Sequence, residues 1–308
     1  MDKLIRFDWA IKKLLRHKAN FDILEGFLSA LLHNDVKVMN LLESESNQED
    51  EQDKFNRVDL LVENAQHELI LIEVQVKSEQ DFFHRIAYGS AKLLTQYLEK
   101  GESYQNLKKV ISINITYFEL GQGTDYLYYG STNFVGIHDQ DILGLSETQK
   151  QLFEYQKINQ IFPEYYLIRV GKFTDQIHDA IDEWIYMLKH SEVKPEFKSK
   201  NIQHATEKLR VMNLGSEQRQ NYERFMDNMS YRASMLWSSK AEGRLEGIQE
   251  GIQKGREEGQ KESALTLVKN ALQQGLDLPT IASITGLSIE EIQTIRDGSN
   301  FRAANFSD

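Results

Sequence analysis

Residues 69–76, LILIEVQV, constrain this chain more than any other stretch. Side chains of an extended segment alternate between two faces. Here Ile70, Ile72, Val74 and Val76 share one face, while Leu69, Leu71, Glu73 and Gln75 share the other. Apolar residues on both faces mark a strand covered on both sides, hence a central one. The preceding run, RVDLLVE, reads as its hairpin partner, with strands over 56–63 and 68–76 joined around Asn64–His67. That turn puts Asp59 opposite Glu73 to within one residue of register.

Two converging carboxylates repel, and burying even one is costly. A divalent cation between them would make the arrangement reasonable. Mg²⁺ takes one or two carboxylates and completes its shell with water and phosphate oxygens. A cation so held activates water and stabilises phosphoryl transfer. Gln75, on the face of Glu73, is placed to orient the attacking water or to bind a phosphate. The alternative is an edge strand whose acids are simply hydrated, and spacing alone leaves both open.

The flanking sequence predicts a layered α/β domain. Helical spacing covers residues 3–18 and 21–33, the second through Phe21, Leu24, Phe27, Leu28, Leu31 and Leu32. VKVMNLL reads as a strand and is followed by an acidic loop over 43–53. A long helix over 81–101 is expected to close at Gly101. LKKVISINITYF, YLYYGSTNFVGIH and EYYLIRV are further strands. The order α-β-β-β-α-β-β predicts a mixed central β-sheet flanked by helices, ending near residue 190 and followed by an all-α C-terminal region.

Beyond residue 200 the pattern is helical and charged. Gly243, Gly247, Gly251, Gly255 and Gly259 recur at a strict four-residue period. Each glycine costs a helix interior about 1 kcal/mol relative to alanine. Close packing against a second copy would offset that cost, and a four-residue period favours a right-handed crossing. The alternative is a flexible charged linker. Residues 200–262 are therefore expected to form an oligomerisation segment, and 263–300 a small helical module punctuated by Gly275 and Pro279. Within that module SIEE, residues 288–291, has the form of a capping box. The module resembles a helix-turn-helix, but one base and two acids on its second helix suit packing better than a phosphate-lined groove.

Composition narrows the setting. The net charge of −11 argues against a generally basic nucleic-acid binder. Residues 1–20 nevertheless carry six bases against two acids, a local +4. The absence of cysteine excludes disulfides and thiolate metal sites. With no signal-like apolar segment and no run of about 18–20 apolar residues, the expectation is a cytoplasmic protein without a membrane span. There is no GxxxxGKS, HExxH or GxSxG motif, and the eight histidines lack ligand spacing.

Asp59 followed by Glu73-Val-Gln75 resembles the core of the PD-(D/E)XK nuclease superfamily. The wider context, with Arg85, Tyr88, Gln96, Gly101 and Tyr104 leading into a strand, is similar to the Rpn family of recombination-promoting nucleases, also described as transposase-like. The resemblance covers roughly residues 1–140 well. It implies a restriction-endonuclease-like fold and a metal-dependent DNA endonuclease linked to recombination or mobile elements. By carry-over, Asp59 and Glu73 would hold Mg²⁺, with Mn²⁺ as a substitute and the Val74 carbonyl as a third ligand. Gln75 stands where the superfamily more often has lysine, so no cationic side chain acts on the water there. Glu25 resembles the acid that such proteins carry on an early helix. Arg85, Lys92, Gln96 and Lys77 are the candidate DNA contacts. A rival reading is an inactive DNA- or protein-binding module whose helical tail mediates assembly.

Overall fold

The computed structural model describes residues 4–42, 59–98 and 101–304. The acidic loop and the start of the expected first hairpin strand lie outside the described residues. Six strands form one sheet: β1 (Val38–Leu41), β2 (Leu60–Asn64), β3 (Leu69–Gln75), β4 (Val110–Thr116), β5 (Leu127–Gly130) and β6 (Glu164–Arg169). Their spatial order is β1-β2-β3-β4-β6-β5. β3 runs antiparallel to β2 but parallel to β4, and β4 runs parallel to β6. The fold is thus a mixed sheet flanked by helices, restriction-endonuclease-like, with a long helical C-terminal region.

The alternation of β3 explains its place. Leu69, Ile70, Leu71, Ile72 and Val74 are all at most 2% exposed, so the strand is buried on both faces. Full burial of each such side chain contributes about 1.5–3 kcal/mol. On one face Leu69 and Leu71 pack with Leu61, Val110 and Leu93. Leu93 belongs to α3 (Phe82–Gln96), the helix that carries the chain from β3 over to β4. Phe82 and Ile86 of α3 also pack against Tyr165 and Leu167 of β6. A second helical layer contains α1 (Phe7–Lys13), α2 (Phe21–Leu32), α5 (Ala180–His190) and α6 (Ile202–Lys208). Phe27 of α2 joins it, with ring contacts of 5.7 Å to Phe7 and 6.1 Å to Trp184.

Several boundaries differ from expectation for physical reasons. The first helix is shorter than 3–18: Ile5 donates to the Leu209 carbonyl at 2.7 Å, so the chain before α1 is extended. At the other end Asn20 takes the Leu14 carbonyl at 2.9 Å and stops the turn from propagating. α3 ends at Gln96 rather than Gly101, and its cap residue Tyr97 packs on the Leu61 cluster. The strand expected over 126–138 is ordered only as Leu127–Gly130; a single bridge, Val135 to Ile142, follows. Helices α4 (Glu147–Phe153) and α5 lie outside the expected pattern, and the helical stretch expected from residue 200 is divided into α6 and a longer helix from Ser216.

The first compact unit runs through Tyr222, so α5 and α6 lie wholly inside it. Helix α7 (Ser216–Gln273) starts there and continues unbroken through the glycine-periodic stretch. In the second unit its end packs with α8 (Leu278–Thr285) and α9 (Ile289–Ala304) around Val268, Ile281 and Ile292. Asp277 caps α8 by accepting from Thr280 N–H, and Gly286 closes it at φ 74°. Ser288 and Glu291 form the expected reciprocal cap. Among the described residues no helix is long and apolar enough to cross a membrane.

Candidate active site

The hairpin register sets the site. Leu60 pairs with Ile72, and one further step places Asp59 opposite Glu73. Across β3 the parallel ladder pairs Glu73 with Asn114 and Gln75 with Thr116. Asp59, Glu73 and Asn114 therefore lie in one row across three adjacent strands, under α3.

Asp59 is fixed from two sides. Its carboxylate accepts from the Val74 N–H at 2.7 Å. Its main-chain carbonyl accepts from Arg16 Nη2 at 2.9 Å. Ladder alternation sends the Gln75 carbonyl toward Tyr117 N–H, beyond β4. By the same alternation the N–H and C=O of Val74 both turn toward β2, the side on which Asp59 sits.

Glu73 is 3% exposed. Its carboxylate meets Arg85 Nη2 of α3 at 3.2 Å, and Arg85 Nη1 also meets Glu79 at 2.7 Å. Glu79 in turn accepts from the Gln75 amide nitrogen. Burial pushes the Glu73 carboxyl above the usual carboxylate range; Arg85 opposes this, while the charges of Asp59 and Glu79 add to it. Arg85 thus does not fully offset the burial of Glu73.

The donor set suits a hard divalent cation. Two carboxylates converge where one is desolvated and both repel, and that repulsion is what a cation would relieve. Among the described residues no three His, Asp or Glu side chains form a metal-holding group, so water and phosphate oxygens would complete the shell.

The remaining sequence-derived candidates are dispersed. Glu25 accepts from Val38 N–H at 3.1 Å and pairs with Lys37 at 3.2 Å. Val38 pairs with Asn64, the end of β2 away from Asp59, so roughly 15 Å of strand separates the two ends. The structure does not bring Glu25 to the carboxylate pair. Arg85 is committed to Glu73 and Glu79. Lys77 is exposed and Lys92 half-buried on α3. Gln96 closes α3 with its Oε1 buried and unpartnered among the described residues. Sequence reasoning missed Arg16, Glu79 and Asn114. Asn114 left a legible signal, since Ser112, Asn114 and Thr116 put three polar side chains on one face of a fully buried strand.

A family model described as PD-(D/E)XK nuclease family transposase matches residues 5–236. The chain belongs to this family. No curated protein and no solved structure matches it. The family match spans every strand of the sheet and extends into α7.

Proposed function

We propose that the chain is a divalent-cation-dependent DNA endonuclease, using Mg²⁺ or Mn²⁺ in the cytoplasm and acting in recombination or mobile-element chemistry. The observation that carries this reading is the row that places Asp59 opposite a desolvated Glu73. Asp59, Glu73 and the Val74 carbonyl would hold the cation. When bound, it would lower the pKa of a water and offset charge on the phosphate.

The chain's own residues supply positioning. Gln75 is held through its amide nitrogen by Glu79, which turns its Oε1 away from Glu79 and makes it the group available to orient a water proton. Arg85 keeps Glu73 aimed into the row and tempers its burial. Exposed Lys77, with Lys92 and Gln96 on α3, would contact DNA phosphates, a role compatible with the overall acidity because contact with a duplex is local. Residues 243–259 of α7 would join two copies, an arrangement that suits an enzyme cutting two strands.

The test is nicking of supercoiled plasmid with Mg²⁺ or Mn²⁺. Wild type is expected to nick, and Asp59→Ala and Glu73→Ala each to lose at least about 100-fold in rate, since even outer-shell changes cost 10–100-fold in metal affinity or activity. An inert wild type, or variants that cut equally well, would leave the chain as a binding module. The Arg85–Glu73 ion pair alone would suffice for that role.

A further inference from the structure

Asn114 is fully buried on β4. Its amide nitrogen donates to Ser112 twice, to the main-chain carbonyl at 3.3 Å and to the hydroxyl at 3.0 Å. These bonds fix which way the amide faces and turn Oδ1 away from Ser112. Among the described residues, that Oδ1 is buried without a hydrogen-bond partner. A buried acceptor left unpaired costs about 1–3 kcal/mol. Asn114 also pairs with Glu73 in register, so its amide and the Glu73 carboxylate take neighbouring places on one face of the sheet.

Two acceptors side by side in a desolvated place need a donor between them. Neighbouring groups do not supply one among the described residues: Arg85 gives its Nη atoms to Glu73 and Glu79 while its buried Nε bonds neither Asn114 nor any other acceptor, and Thr116 Oγ1 donates to the Ile168 carbonyl at 3.3 Å. A water held by a cation fits, because its protons point outward from the ion and the nearest buried acceptor receives one.

We infer that Asn114 is a positioning residue of the site: its Oδ1 accepts a hydrogen bond from a water in the cation's shell, and Ser112 holds the amide in the orientation that permits this. The inference rests on the proposed Asp59–Glu73 cation site and adds a third strand to it. Ser112 and Asn114 then form a single device, one anchoring the amide and the other presenting its oxygen.

The experiment is Mn²⁺ titration of the full chain, read by the loss of free-ion electron paramagnetic resonance signal, with thermal unfolding in chelator as a control for folding. Asn114→Leu, which removes the acceptor, is expected to weaken Mn²⁺ binding about tenfold. Asn114→Asp gives up the bond to the Ser112 carbonyl, can still accept from the Ser112 hydroxyl and keeps an acceptor, and is expected to bind Mn²⁺ at least as tightly as wild type. A merely structural Asn114 predicts the reverse pattern: both variants lose stability and affinity together, or neither alters affinity. If Asn114→Leu fails to fold, equal or tighter binding by Asn114→Asp still supports the acceptor role, and weakened binding overturns it. Asp59→Ala separates the two layers of argument. If it abolishes Mn²⁺ binding while Asn114→Leu leaves it unchanged, this inference fails and the cation site stands. If wild type binds no Mn²⁺, or Asp59→Ala binds normally, both fall.

Discussion

Glu73 illustrates how one residue can work against its own fold. Its carboxyl titrates above the ordinary range because it is buried near Asp59 and Glu79, so the folded chain holds the proton more tightly than the unfolded chain does. The carboxyl's contribution to stability is then fullest at low pH. It is lost as pH rises from the unfolded value through the raised folded value, and at neutral pH the ionised group opposes folding. Glu73→Gln should therefore raise the melting temperature in chelator at pH 7–8, by about 2–4 °C if the relief is near 1 kcal/mol. The gain should shrink as pH falls toward about 4.5, the ordinary glutamate value, and a variant no more stable than wild type at pH 8 would show that Arg85 fully offsets the burial. At this scale the sequence was partly legible. Asp59 and Glu73 could be set opposite each other because hairpin register follows from run length and turn position. Arg16 could not be found, since its contact to Asp59 spans 43 positions and no periodicity links them.

Elements were legible where a repeating pattern fixed them and obscure where a single long-range contact did. β3, β4 and α2 are strongly periodic and stand where the pattern put them. The insertion of β6 between β4 and β5 has no local signature, since strand order is settled only when both faces are covered. Gly26 shows the same limit within a helix. It interrupts an apolar face, yet a Cβ there would strike the Lys200 carbonyl and sit 2.7 Å from a ring carbon of Trp184. Gly26→Ala should then cost about 1–3 kcal/mol in chemical denaturation, despite alanine's better helix propensity. A neutral or stabilising result would mean that the α2–α5–α6 layer can give way. The far end of the hairpin allows a second test. Glu63 meets Lys108 at 2.8 Å and His67 at 3.0 Å, and also accepts from Asn40, so it ties β1, the turn and the approach to β4 together. Lys108, then His67, hold its carboxyl down at about 2. That stabilisation is full above the unfolded value and is lost as pH falls from about 4.5 toward 2. Glu63→Gln should cost about 1–2 kcal/mol at pH 7, after allowance for solvent screening, and the deficit should narrow at pH 3. A deficit that is the same at both pH values would assign the effect to packing instead.

Across the whole molecule, the 58 residues of α7 raise the question that the sheet does not. A helix holding five glycines at a four-residue period should be weak in isolation. Among the described residues nothing lies within 4 Å of the Cβ that any of the five would carry, so none of them requires glycine there. The same stretch leaves Leu245 61%, Ile248 49% and Ile252 67% exposed, spaced three and four residues apart on one side. Small residues beside an apolar seam are what two helices need to approach closely, and a second copy of α7 would present both features in return. Replacing all five glycines by alanine separates the possible roles. A lone helix should gain up to about 1 kcal/mol per site and show stronger helical circular dichroism. A helix that pairs through its glycines should gain helicity too, but lose assembly, with sedimentation equilibrium moving from a multiple of the chain mass of 35.8 kDa to that mass itself. If wild type already sediments as a single chain, α7 does not join copies, and any cutting of two strands must come from successive encounters with DNA.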